Sequence, residues 1–115
     1  MSKFNNPLLL ILYLWISIFL SNKIIAKDIP IGHLVDFTGP TSSVGKPWGE
    51  GFIDTIKWIN KNGGINNKKI KVDTVDYSYK APRAVATYKR WKSRLKVIAV
   101  IGWGTADTEA LMGTI

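Results

Sequence analysis

From residue 29 onward the apolar positions of the chain alternate between two rhythms. Ile29-Pro-Ile-Gly-His-Leu-Val-Asp36 is short, apolar and rich in β-branched residues, and the turn-forming stretch Thr38-Gly-Pro-Thr-Ser-Ser43 follows it. The pair predicts a strand and a loop. Over residues 43–60 the spacing lengthens: Trp48, Phe52, Ile56 and Ile59 recur at i, i+4, i+8 and i+11, one stripe of a helix. Thr41 or Ser42 is placed to cap its start, Pro47 sits in its first turns, and Asn62-Gly63-Gly64 ends it.

The alternation repeats twice more. Ile70, Val72 and Val75 mark a second strand that ends near Asp76. Pro82 opens a second helix, where its missing N–H is no loss, with a stripe of Ala81, Ala84, Tyr88, Trp91 and Leu95. Residues 97–101 are uninterruptedly apolar, which predicts a strand covered on both faces. Gly102-Trp-Gly-Thr105 then turns into a third helix, with Ala110, Leu111 and Met112 just beginning it when the chain stops at Ile115. The fold class read from this order is α/β: βαβαβα, the start of a doubly wound parallel sheet with right-handed crossovers. A three-stranded sheet of this kind has open edges, so the expectation is that residues 27–115 are the front of a longer protein.

Residues 1–26 follow a different logic. Lys3 and the amino terminus are positive, residues 8–20 form a 13-residue apolar run broken only by Ser17, and Ile24-Ile25-Ala26 offers a small residue for cleavage. That is the build of a secretory signal peptide, and the run is shorter than the ~20 residues a membrane span needs. An uncleaved anchor is the alternative. With no cysteine at the boundary, a lipid-modified anchor is excluded. Export without any cysteine points to a bacterial periplasm.

Composition removes several chemistries. No cysteine means no disulfide and no thiolate metal site, and a single histidine, His33, leaves histidine-based catalysis little to draw on. His33 lies inside the first strand and reads as a packed, hydrogen-bonded side chain. The net charge is +8, and residues 27–115 carry 14 basic and 8 acidic residues. Seven of the basic residues fall between Lys80 and Lys96 without an acid, but the interleaved Tyr88 and Trp91 belong to the apolar stripe. A solvated helix face is therefore expected, and no nucleic-acid partner. The stretch from Gly39 to Gly45 has neither the spacing of a phosphate loop nor that of a dinucleotide fingerprint, and Gly102-Trp-Gly104 is a match short enough to arise by chance. Asp36 and Asp76, both at strand ends, read as loop or capping residues. The sequence thus points to no enzyme, no cofactor and no metal.

Geometry supplies the candidate site. In a doubly wound sheet the first and third strands become neighbours, so loops 37–45 and 102–108 flank the switch-point crevice. Each runs into a helix whose free N–H groups favour an anion, and Thr38, Thr41, Ser42, Ser43, Thr105 and Thr108 concentrate hydroxyls there. Asp107 is the acid placed to meet an ammonium group. Such a crevice fits a zwitterion such as an amino acid.

The motifs Ile31-Gly32, Phe37-Thr38-Gly39-Pro40 and Gly45, then Trp58-Ile59-Asn60 with Gly63-Gly64-Ile65-Asn66, then Asp76, Pro82, Ala84-Val85 and Val100-Ile101-Gly102 follow one another in a specific order. Over residues 29–115 this order resembles the amino-terminal lobe of type I periplasmic substrate-binding proteins, specifically the Leu/Ile/Val-binding type that serves ABC transporters. The resemblance implies two α/β lobes closing over a small ligand, of which this chain holds part of lobe one. It also implies a membrane permease as partner and a monomer at full length. The family's bulky ligand-packing residue falls on Val44, with Trp48 one turn on as a substitute. Its ligand-binding serine falls on Ala106, with Thr105 or Thr108 as substitutes, and Trp103-Gly104 stands where relatives carry Gly-Pro. The ligand-binding set expected is Val44, Trp48, Trp103, Gly104, Thr105, Ala106, Asp107 and Thr108. The ligand expected is an amino acid or related organic acid, with Trp103 placed to enclose an aromatic or larger one. A ligand-sensing domain of a membrane receptor is the alternative, and a nucleotide-dependent enzyme a more distant one.

Overall fold

The computed structural model describes residues 27–114. The leader expected over residues 1–26 lies outside the described residues. Three parallel strands form one sheet: β1 (Ile29–Val35), β2 (Ile70–Asp76) and β3 (Ala99–Ile101), in the order β2-β1-β3. Ile29 pairs with Ile70 and Val35 with Asp76, while Ile31 to His33 pair with Ala99 to Ile101. The first strand is thus central, and the second and third lie on either side of it, as the doubly wound reading requires.

The connecting helices are α1 (Ser42–Lys61), α2 (Ala81–Arg90) and α3 (Thr105–Met112). Successive residues of β1 face opposite sides. Leu34 enters a core with Tyr77, Ala84, Trp91 and Leu111, all buried, under α2 and α3. His33 faces α1, where its ring lies 4.3 Å from Phe52 and 5.3 Å from Trp48. Trp91, fully buried, fits because Gly32 beneath it has no side chain. Its indole N–H donates to Asp73, 2.5 Å away, and Arg90 pairs with the same carboxylate at 2.6 Å.

Helix α1 meets the sheet at two positions the apolar stripe does not contain. Gly45 and Gly49 are its buried residues, and a Cβ on Gly45 would collide with the backbone carbonyl of Asp36. Only glycine lets the helix start this close to the strand it follows. Pro47 lies in the second turn and forfeits one intrahelical bond. At the other end Gly63 and Gly64 adopt positive φ and stop the helix, as the sequence predicts.

Three local expectations are corrected. Neither Thr41 nor Ser42 caps α1 through its side chain; the Thr41 hydroxyl donates instead to Asp36 at 2.6 Å. Strand β3 is three residues rather than five and is not covered on both faces: Ile98 is 72% exposed, Ala99 is exposed, and no described strand flanks it beyond β1. Helix α3 ends at Met112 with Gly113 as its C-cap, so Ala110 to Met112 close a helix rather than open one. Helix α2 also runs on as a π-helical turn, Trp91–Leu95, closed by Lys96 in the left-handed region with its N–H on the Trp91 carbonyl at 2.8 Å.

Candidate functional site

Parallel strands place all three carboxyl ends on one edge of the sheet, and three carboxylates organise the loops there. Asp36 is fully buried. It accepts the Gly39 N–H at 2.5 Å, the Thr41 N–H at 2.8 Å and the Thr41 hydroxyl at 2.6 Å. Burial alone would raise its pKa, but these donors outweigh that and hold it below the usual carboxylate range. Asp76 accepts the Phe37 N–H at 3.0 Å, the Thr38 hydroxyl at 2.6 Å and the Ser78 N–H at 3.0 Å. Burial again pushes its pKa up, and those bonds together with the Arg83 charge push it further down. Both aspartates hold loop backbone, Asp36 from just after β1 and Asp76 from the last residue of β2, in keeping with the loop or capping role read from the sequence.

Asp107 departs from its expected role. It is 1% exposed, and its oxygens accept the Tyr77 hydroxyl at 2.6 Å, the Gly104 N–H at 2.8 Å and the Trp103 N–H at 3.1 Å. A carboxylate facing inward with three donors on it braces the β3–α3 loop and is not offered to an ammonium group in the crevice. The same contact holds the phenol: burial first, and then the bond to Asp107, push the Tyr77 pKa up. Asp107 sits at the third position of α3 and bonds the N–H of Gly104 before the helix, half of a capping box.

The remaining predicted residues fall into two groups. Trp48 and Trp103 come together, with ring centres 5.3 Å apart and planes tilted by 48°. Trp103 is fixed by its indole N–H, which donates to the Thr41 hydroxyl at 2.7 Å, and that hydroxyl donates on to Asp36. The two loops are therefore joined by a relay from Trp103 through Thr41 to Asp36. Beside this aromatic wall begins α3, with Gly104 before it. The first-turn N–H groups of Thr105 and Ala106 have no intrahelical acceptor. Thr105 and Thr108 are exposed, and the Thr108 hydroxyl donates back to the Gly104 carbonyl at 2.8 Å. Val44, by contrast, is 63% exposed on the first turn of α1.

Sequence reasoning missed two contributors, Tyr77 and Tyr79, and the bridging role of Thr41, which it counts only as a cap and one of the crevice hydroxyls. Thr41 is the bridge between the loops, and Tyr77 is the buried partner of Asp107. Tyr79 packs against Gly104, where a Cβ would crowd its ring. Ser78 and Tyr79 both hold left-handed backbone, φ 51° and 57°, at about 1–2 kcal/mol each for side-chain-bearing residues. The readable signals were the Asp-x-x-Gly-x-Thr spacing of an aspartate folding over its own turn and the Gly-x-x-Asp spacing of a helix start. His33, 3.1 Å from the Thr74 hydroxyl through Nδ1, is packed as expected, and burial lowers its pKa to about 4. Among the described residues no three His, Asp or Glu side chains converge as a metal site, and no helix is long and apolar enough to cross a membrane.

Known proteins resemble this chain in sequence and fold. Residues 28–115 match the model of a family described as periplasmic binding protein. A protein of Pseudomonas aeruginosa named amino acid binding protein is 36% identical over 75 residues, 65% of this chain and 20% of that protein. The crystal structure of an ABC transporter substrate binding protein from Aeropyrum pernix is 40% identical with a TM-score of 0.72, over 77% of this chain and 24% of that one. A branched-chain amino acid transporter substrate binding protein from Streptococcus pneumoniae, in complex with isoleucine, is 26% identical with a TM-score of 0.69, over 75% and 25% respectively. The chain thus spans about a fifth to a quarter of the length of these relatives. A family match over nearly all the described residues, on a sheet with the same strand arrangement, establishes that this chain belongs to the periplasmic binding protein family.

Proposed function

We propose that this chain supplies one wall of the ligand crevice of an extracytoplasmic solute-binding protein. Its ligand is an amino acid or related organic acid, which it delivers to the membrane permease of an ABC transporter. The setting is the periplasm, reached by the exported leader, and the protein acts as a monomer without chemistry of its own. Support for the transport role comes from relatives named as amino acid and ABC transporter binding proteins.

The observation that carries the ligand class is the juxtaposition of the Trp48–Trp103 wall with the start of α3. Free first-turn N–H groups of Thr105 and Ala106 attract a carboxylate, helped by the helix dipole and the Thr105 hydroxyl. The indoles cover an apolar or aromatic body. Since Asp36, Asp76 and Asp107 are all committed to internal donors, this wall reads the carboxylate end of a zwitterion and leaves the ammonium to other groups. Catalysis has no support at this edge, because its carboxylates already serve the loops and His33 lies buried beneath the indoles.

The test is tryptophan fluorescence on titration with leucine, phenylalanine and the corresponding amino alcohols, which lack the carboxylate. The acids are expected to change the emission and the alcohols to leave it unchanged. Equal responses to both would overturn the carboxylate assignment, and no response to any acid would overturn the site.

A further inference from the structure

The opposite edge of the sheet, where the three strands begin, is different in character. Lys27, Lys68, Lys71, Arg94 and Lys96 are all exposed and line two neighbouring open grooves there. Of the two acids in these grooves, Asp28 and Asp73, the second is already engaged by Arg90 and the Trp91 indole. Apolar side chains lie among the cations: Leu95 is 42% and Ile98 72% exposed. The topology gathers these residues, since parallel strands bring Lys27, Lys68 and Lys96, each just ahead of a strand, to one side. The π-helical turn adds Arg94 and Leu95, and its closing residue is Lys96.

A second observation identifies what this edge meets. The apolar run of residues 8–20 ends seven residues before Lys27, where the chain enters the fold. Where that run is kept as the uncleaved anchor, ~3.5 Å per extended residue holds the bilayer within about 25 Å of Lys27, on the side of this edge. Clustered lysines and arginines with exposed aliphatic side chains suit an anionic lipid surface, where the cations are attracted to headgroups and the apolar groups enter the interface.

We propose that the amino edge of the sheet is a docking surface for anionic phospholipid headgroups, centred on Lys68, Lys71, Arg94 and Lys96. It holds the protein against the membrane with the ligand crevice directed away from it.

Co-sedimentation of the full chain with phosphatidylcholine vesicles, with and without phosphatidylglycerol, tests this. The apolar run contributes equally to both, so the edge is read as the gain on adding the anionic lipid. That gain should exceed about a hundredfold at low salt and vanish near ~1 M salt, where the screening length falls to about 3 Å. K68Q/K96Q should reduce it about 25-fold, about fivefold per residue, and K71Q/R94Q should do the same. K46Q/K80Q, which removes two charges at the carboxyl edge, should change it by less than about twofold. Circular dichroism checks that each variant is folded, and the two amino-edge pairs serve as replacements for one another. Equal binding to both vesicles, or an equal loss in K46Q/K80Q, would overturn the proposal.

Discussion

The two loops that border the proposed crevice are each held by a buried aspartate, from opposite ends, and Asp76 adds a second hold on the first. Asp36 precedes its loop, at the end of β1, and takes all three of its donors from Gly39 and Thr41 within that loop. Asp107 follows its loop, inside α3, and adds to two N–H groups of the loop the hydroxyl of Tyr77 from beyond β2. The Asp36 anchor is therefore local to its loop, which Asp76 of β2 also holds through the Phe37 N–H and the Thr38 hydroxyl, while the Asp107 anchor draws on Tyr77 from beyond β2. The two meet at one point, the Trp103 indole on the Thr41 hydroxyl. A wall built this way has one aspartate anchored by local chain geometry and the other by tertiary packing.

This contrast predicts unequal damage. Asp107→Ala strands a buried phenol and two loop N–H groups, and should destabilise the chain by about 3–5 kcal/mol in urea unfolding. Asp36→Ala removes as many bonds, but Gly39 and Thr41 are nearer to solvent and water replaces part of what is lost, so about 2–3 kcal/mol is expected. If Asp36→Ala were the more damaging, the local reading of the Asp36 anchor would be wrong.

Acid should act on the wall in two stages. His33 packs beneath Trp48 with its folded pKa near 4 against about 6.5 when unfolded. The neutral ring is favoured by folding, so its contribution is complete above about pH 6.5. It is lost progressively down to about pH 4, by about 3 kcal/mol. Asp36 and Asp76 have lowered folded pKa values, so what they contribute is present above the ordinary carboxylate range and fades only below it. Urea midpoints measured from pH 7 to 3 should fall in both windows, and His33→Phe should flatten the upper one alone. A slope unchanged in that variant would remove His33 from the account.

Smaller effects probe the junction and its surroundings. Trp103→Phe keeps an aromatic ring but deletes the N–H to Thr41. It should lower stability by about 1 kcal/mol and loosen ligand binding without changing the fold. Val44→Ala, at an exposed position outside the aromatic pair, should alter both by less than about 0.5 kcal/mol in the same unfolding and titration measurements.

Periodicity carried the order of elements and the parallel sheet, because helices and strands that bury one face must space their apolar residues accordingly. It placed Trp91 in the core and ended β2 at Asp76 for the same reason. What it missed depended on partners distant in sequence. Gly45 and Gly49 fall outside any apolar stripe, yet they are where α1 approaches closest. The run 97–101 was uniformly apolar, and period alone does not reveal that only one side of β3 has a neighbour. At the site, the crevice position followed from topology, and both indoles were visible as large side chains flanking it. The inward turn of Asp107 was not, because an aspartate two residues into a helix reads equally well as a ligand for solvent-borne cations or for a tyrosine 30 residues earlier.

The central claim is that the Trp48–Trp103 wall and the first turn of α3 form a single carboxylate-reading site. Amide-resolved NMR of the nitrogen-15-labelled chain during titration with leucine tests it most directly, since weak binding still shifts resonances. The account predicts shifts confined to the Thr105 and Ala106 amides and the Trp48 and Trp103 indole N–H groups, with Val44 and the amino edge unmoved. Shifts centred elsewhere, or none at all at saturating leucine, would contradict it.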